Sequence, residues 1–443
     1  MIRITDTGAQ PGRVCTDAIQ SAIDQAGEAG GTVFIPAGTF LTGTLKLRSG
    51  VKLNLHPAAV LKAANDIDLF PPSARAERSE HSKRNMIFAD GCENIEISGG
   101  GTLDGSGPAF WNAPAEGSNW YRAKNPRVSP MLELRRCKHV VLDNVNIVDS
   151  PGWTVHPFCC DHVIIRNITI KNHLHGPNTD GIDVNGCRDV FITGCRLTCG
   201  DDGIIIKATK DARTCERITV SDCVINTNCI GVGLGQETES GIRQVTVSNC
   251  VMFNSHRMFA AGIWAGGWIE DVTVTGCVGD TLNTYPLARP IQLEVKQHVG
   301  WDVPLGHMKN VQISNFISKG AGRILLTAQD GTMLENVSLR DIRMDFTELE
   351  DAEKLSPPTG DKGSSQYANR NLEARRQNAA VVVENASKFT LDGLNVTWPD
   401  NGDVPYSAVW ARNVQGGQVN IPLADGCNGA EPARLENVDW IER

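Results

Sequence analysis

Apolar residues recur along this chain at a fixed spacing. The residue that follows a polar turn is apolar at Val163, Val190, Ile218, Val245 and Val272, in steps of 27, 28, 27 and 27. The pattern returns at Val311, Val337 and Phe389, and Ile95 and Val140 extend it backwards with insertions between. Each copy alternates, as in Val190-Phe191-Ile192-Thr193 or Val245-Thr246-Val247-Ser248, which is the period-two signature of a short strand. A unit of one or two such strands cannot cover its own apolar face, so the copies must stack. The pattern predicts an all-β parallel β-helix with asparagine and glycine at its corners, where left-handed backbone is tolerated.

One helix is predicted, near the start. Thr16 is placed to cap it, Ala18, Ile19, Ala22, Ile23 and Ala26 share one face, and Gly30-Gly31 end it. Residues 1–33 then form a cap over the open end of the solenoid, hiding strand edges that would otherwise be unpaired. The repeat runs on without a linker break, so a single domain over 1–443 is expected although the length alone suggests two or three. Two stretches leave the repeat: Pro71 to Arg84, and a long insertion at 348–377 that carries Pro357-Pro358 and many charges. Loops of that length either cover a site or are disordered.

A net charge of −9 argues against nucleic acid and anionic membranes, and no apolar segment is long enough to cross a bilayer. Met1-Ile2-Arg3-Ile4 leads straight into domain sequence, which points to a cytoplasmic location. The fourteen cysteines form ladders: Cys92, Cys137, Cys160, Cys187 and Cys215 each precede the marker residue by three, and Cys195, Cys223, Cys250 and Cys277 follow it by five. Buried apolar packing accounts for them better than zinc, since tandem CxxC pairs are missing.

Candidate chemistry concentrates in Asn178-Thr179-Asp180-Gly181 and Cys199-Gly200-Asp201-Asp202-Gly203. Alone, the first reads more readily as a turn, and the second as an exposed corner or a sparse calcium site. Asp180 and Asp201 are 21 apart, short of the full period, so they take neighbouring strand positions on adjacent coils. Three carboxylates brought together that way raise the pKa of at least one member and supply an acid and a base at neutral pH. Further along, Gln292, Glu294 and Lys296 alternate and so share a face, either cleft wall or solvent.

These motifs, together with Gly99-Gly100-Gly101-Thr102-Leu103-Asp104-Gly105, Ser150-Pro151-Gly152-Trp153-Thr154-Val155-His156-Pro157 and Asp202-Gly203-Ile204-Ile205-Ile206-Lys207, resemble glycoside hydrolase family 28, the polygalacturonase-like family. The resemblance covers most of the chain and implies a right-handed, single-stranded, pectin-lyase-like parallel β-helix and an inverting glycosidase. It implies Asp202 as general acid, Asp180 and Asp201 as activators of water, and no metal or organic cofactor. It also implies a carbohydrate partner, an oligosaccharide or glycoside; oligomeric state is left open. Substrate contacts are expected from Asn178, Lys207 and His175; His173 and His175 read equally well as exposed turn histidines, and His156 reads as a satisfied histidine within the coil rather than a catalytic one.

Two departures bear on the substrate. The family's Gly-His-Gly stands here as Asn228-Cys229-Ile230-Gly231-Val232-Gly233, and its Arg-Ile-Lys, which binds a uronate carboxylate, as Met258-Phe259-Ala260-Ala261-Gly262-Ile263-Trp264. A carboxylate without a cationic partner is costly to bury. A neutral or deoxy sugar such as rhamnose, resting on Trp264, is therefore expected next to the scissile bond, with His256 and Arg257 as further contacts. The rival readings are a non-catalytic carbohydrate-binding or adhesion β-helix and a lyase or isomerase on the same scaffold.

Overall fold

The computed structural model describes residues 1–73, 83–282, 286–298, 302–355, 372–400, 402–420 and 425–442. The chain divides into two compact units, Met1–Asn228 and Cys229–Arg443. Both are built from parallel strands stacked coil on coil, the parallel β-helix that the repeat predicts and, as the resemblance implies, a right-handed one. Of the two stretches that leave the repeat, 74–82 and 356–371 lie outside the described residues. The second is flanked by short helices, Ala352–Leu355 and Leu372–Arg375.

In the first unit a coil comprises three strands, for example Ile182–Asn185, Arg188–Thr193 and Arg196–Cys199. The marker residues stack in register, Ile95 on Val140 on Val163 on Val190 on Ile218, and all are buried. Each is preceded by a residue in left-handed backbone: Asn94, His139, His162, Asp189 and Arg217. Asparagine and glycine do not monopolise this corner. The kink recurs because the coil must turn there, and polar residues accept it since their side chains face water.

The N-terminal helix spans Thr16–Ala29 and buries Ile19, Ala22, Ile23 and Ala26 as expected. Its N-cap residue is Cys15 rather than Thr16, with no side-chain cap. The Thr16 hydroxyl instead accepts the Gly43 N–H at 2.8 Å, tying the helix to the first coil. Gly30 ends the helix at φ 71°, a conformation glycine takes without penalty.

All fourteen cysteines are free thiols and eleven are buried. The Cys137 N–H donates to Cys160 Sγ, Cys160 N–H to Cys187 Sγ, and Cys187 N–H to Cys215 Sγ, at 3.4, 3.2 and 3.2 Å. The ladder therefore satisfies corner amides as well as filling space. Burial pushes Cys215 up to about 12, so this thiol is inert.

In the second unit Val245, Val272, Val311 and Val337 stack in the same way, and later coils run as long bent strands such as His307–Gly320 and Leu334–Phe346. No helix among the described residues is long and apolar enough to cross a membrane.

Candidate active site

The two aspartate motifs occupy the approaches to neighbouring strands, Ile182–Asn185 and Ile204–Ala208, which pair in parallel. The Gly181 N–H donates to the Asp202 carbonyl at 2.9 Å and the Ile182 N–H to the Gly203 carbonyl at 2.9 Å. A Cβ at Gly181 would fall 2.4 Å from the Gly203 carbonyl oxygen, so only glycine lets the coils approach here. Thr179 locks the approach from below: its hydroxyl donates to the His173 and Gly176 carbonyls and accepts the Gly200 N–H at 3.1 Å. The predicted juxtaposition of the motifs follows from these backbone contacts.

Asp201 and Asp202 are half-buried, with carboxylate oxygens within 4.8 Å of one another. Asp180 is buried, 4 % exposed, and its Oδ1 has no hydrogen-bond partner among the described residues. Burial pushes its pKa well above the usual carboxylate range, and the neighbouring charges of Asp183, Asp201 and Asp202 push it further, against a smaller opposing pull from Lys207. Asp180 thus retains its proton in conditions where isolated aspartates are ionised.

Asn178, in left-handed backbone at φ 50°, bridges two partners. It accepts from Arg127 Nη2 at 3.2 Å and donates to Asp201 Oδ2 at 3.5 Å. Lys207 does not present a free ammonium to a ligand: it is buried, with Nζ 3.5 Å from Asp183 Oδ1 and 4.0 Å from the Trp153 ring centroid. Its effect on Asp180 is electrostatic. His175 is half-buried and meets Trp120 edge-on at 5.5 Å, while His173 packs on Tyr121 at 5.1 Å. His156 is wholly buried, its Nδ1 3.1 Å from Glu133 Oε2.

Sequence reasoning missed the segment from Gly107 to Pro130. It leaves the coil through a 3-10 turn at Gly107–Phe110, forms a small antiparallel pair between Trp111–Asn112 and Arg122–Ala123, and brings Trp111, Trp120 and Tyr121 against the two histidines. The Tyr121 N–H donates to the His175 carbonyl at 3.0 Å. Arg127, 1 % exposed, donates to the Pro151 and Pro177 carbonyls as well as to Asn178. The available signal was two tryptophans and a tyrosine within eleven residues of a chain only 6 % aromatic.

The remaining predicted contacts lie in the second unit. His256 is half-buried and its pKa is lowered to about 3 by burial and by Arg257 and Arg289. Arg257 is buried, its Nε donating to Gln292 Oε1 at 2.8 Å. Trp264 is not the open platform expected from the sequence. Only 5 % exposed, it donates its indole N–H to Glu294 at 3.1 Å and has the Lys296 ammonium 4.2 Å from its ring centroid.

A sequence profile of glycosyl hydrolases family 28 matches residues 28–263, a span that contains both aspartate motifs. The chain belongs to glycosyl hydrolases family 28. A probable polygalacturonase of Vitis vinifera is 30 % identical over 60 % of this chain, the match spanning 57 % of the grape protein. An endo-polygalacturonase of Pectobacterium carotovorum subsp. carotovorum is 26 % identical over 74 % of this chain and 84 % of its own length. An exopolygalacturonase structure from Thermotoga maritima superposes with a TM-score of 0.70 at 21 % identity, covering 89 % of this chain and 91 % of that one.

Proposed function

We propose that the protein is an inverting glycoside hydrolase that cleaves a pectin- or plant-derived oligosaccharide or glycoside. The observation that carries this is the placement of a buried, proton-retaining Asp180 on the coil next to the half-buried pair Asp201 and Asp202. In one displacement, Asp202 gives its proton to the glycosidic oxygen as that bond breaks. Water adds to the anomeric carbon from the opposite face and loses its proton to Asp180 or Asp201. In this step the proton is carried by Asp202 and Asp180 is ionised, so the proton that burial favours on Asp180 moves to Asp202 before the bond breaks. Trp120 and Tyr121, half-buried beside the histidines, supply apolar ring surface of the kind sugars pack on.

For the sugar next to the scissile bond we favour a neutral or deoxy residue such as rhamnose. The segment that stands in place of Arg-Ile-Lys, Met258 to Trp264, is buried throughout and carries no cation. The test is a panel of α- and β-glycosides, polygalacturonate and rhamnose-containing pectic oligosaccharides, assayed with wild type beside Asp202→Asn, with the anomer of the first product read by NMR. Turnover with inversion, lost in the variant, supports the reading. Rapid depolymerisation of polygalacturonate removes the neutral-sugar part. Binding of sugars without turnover by wild type replaces hydrolysis with the adhesion reading.

A further inference from the structure

Gln292, Glu294 and Lys296 share a face, as their alternation requires, but that face is neither open wall nor solvent. All three are buried, and they sit among Arg257, Arg289, Arg323 and Arg375, which are buried too. Glu294 is fully engaged: it pairs with Arg375, accepts from Lys296 Nζ at 2.9 Å and from the Trp264 indole at 3.1 Å. Arg323 spends its guanidinium on the Arg375 and Gln377 carbonyls. Glu350, the other carboxylate whose charge reaches Arg289 and Arg323, is turned to the Leu287 N–H at 2.7 Å.

Arg289 is left differently placed. It is 6 % exposed, its Nε has no hydrogen-bond partner among the described residues, and its one side-chain hydrogen bond, from Nη1, is a long 3.5 Å contact to Gln292 Oε1. That same neutral oxygen already receives Arg257 Nε at 2.8 Å. Two guanidiniums thus converge on an uncharged acceptor. Burial and the charges of Arg375, Arg257 and Arg323 act together against the Arg289 cation, with Glu294 opposing them. A buried cation in such company is stabilised by a counter-anion, and a guanidinium offers planar donor pairs that match an oxyanion. The cluster is not sealed: Arg257, Arg289, Gln292, Lys296 and Arg375 keep between 4 and 8 % of their surface in solvent.

We propose that Arg289, with Arg257 beside it on the Gln292 carboxamide and Arg375 nearby, is the centre of a site that binds a small oxyanion, of carboxylate, sulfate or phosphate type. Its source is either an acidic sugar or a free inorganic ion. The inference does not depend on the hydrolytic reading, and it is tested in the full-length Asp202→Asn protein so that turnover cannot intrude.

Thermal midpoints are followed by scanning fluorimetry at constant ionic strength, with sodium sulfate, sodium galacturonate and neutral galactose titrated against sodium chloride. A saturable rise with sulfate or galacturonate, absent with galactose, is expected. A rise confined to galacturonate assigns the acidic sugar as the source, and one produced by sulfate assigns the free ion. Arg289→Gln is expected to weaken the apparent affinity at least ten-fold, and Arg289→Lys to weaken it less. If the glutamine variant does not fold, the lysine variant and competition between sulfate and galacturonate carry the test. The proposal is overturned if neither anion gives a saturable rise, if galactose matches them, or if a folded Arg289 variant keeps wild-type affinity.

Discussion

Replacing Asp180 with asparagine should stabilise the fold while abolishing turnover, and the gain should depend on pH with a definite sign. In the unfolded chain Asp180 ionises near pH 4; in the folded protein burial and the charges of Asp183, Asp201 and Asp202 move that ionisation upward. Between those two points the native state holds the extra proton, so stability falls as pH rises through the window. Below about pH 4 both states are protonated and the penalty vanishes. Its size follows from the partnerless, buried Oδ1: an unsatisfied buried polar atom costs about 1–3 kcal/mol, and more when charged. Asp180→Asn keeps the shape and removes the charge. Urea denaturation at pH 3.5 and pH 8 should therefore show the variant near wild type in acid and about 1–3 kcal/mol more stable in base. A gap that stays the same at both pH values, or a wild type that is the more stable protein at pH 8, would refute the reading of Asp180 as a buried carboxyl under strain from its neighbours.

Asp202→Asn should lower kcat by about 10²–10⁴-fold, the range for loss of a positioned general acid, with an unchanged circular dichroism spectrum as the control for folding. Glu294→Gln removes the carboxylate that Arg375 and Lys296 share; breaking a buried pair of this kind costs about 3–5 kcal/mol, read as a lower urea midpoint. Although burial opposes it, the Glu294 carboxylate is held well below the usual range by Arg375 and Lys296, so its contribution is present above about pH 4.5 and is lost as pH falls below that. The effect of Glu294→Gln should shrink accordingly in acid. Cys187→Ala takes the acceptor from the Cys160 N–H and leaves a gap in the ladder, for an expected loss of about 1–3 kcal/mol; a loss near zero would show that the ladder only fills space.

The repeat was legible because burial alternates strictly wherever one side of a strand meets water. Val190 and Ile192 point inward and are buried while Phe191 between them is exposed, and the period could be counted residue by residue. The aspartate motifs were legible because their glycines and Thr179 are dictated by coil-to-coil contacts only about one repeat away in sequence. Local order within a coil is enough to place them. The fate of Lys207 and Trp264 was not, because each depends on a partner that alternation does not specify: Trp153 and Asp183 for the one, Glu294 and Lys296 for the other.

The sheet that bears the site breaks the alternation rule, which hides the surroundings of Lys207 from a reading of the sequence. Along Leu132–Arg135, Val155–Phe158, Ile182–Asn185 and Ile204–Ala208 every residue is buried, on both faces. The outward positions nonetheless hold Glu133, Arg135, His156, Asp183 and Lys207, groups that a pattern of polar and apolar letters assigns to solvent. Each is instead compensated by a neighbour: Glu133 by Arg135 and His156, Asp183 by Lys207. Asp180 sits at the edge of this network with a buried Oδ1 that finds no donor among the described residues. A carboxyl that is buried, short of donors and surrounded by other carboxylates keeps its proton, which is what the proposed mechanism asks of a group beside Asp201 and Asp202.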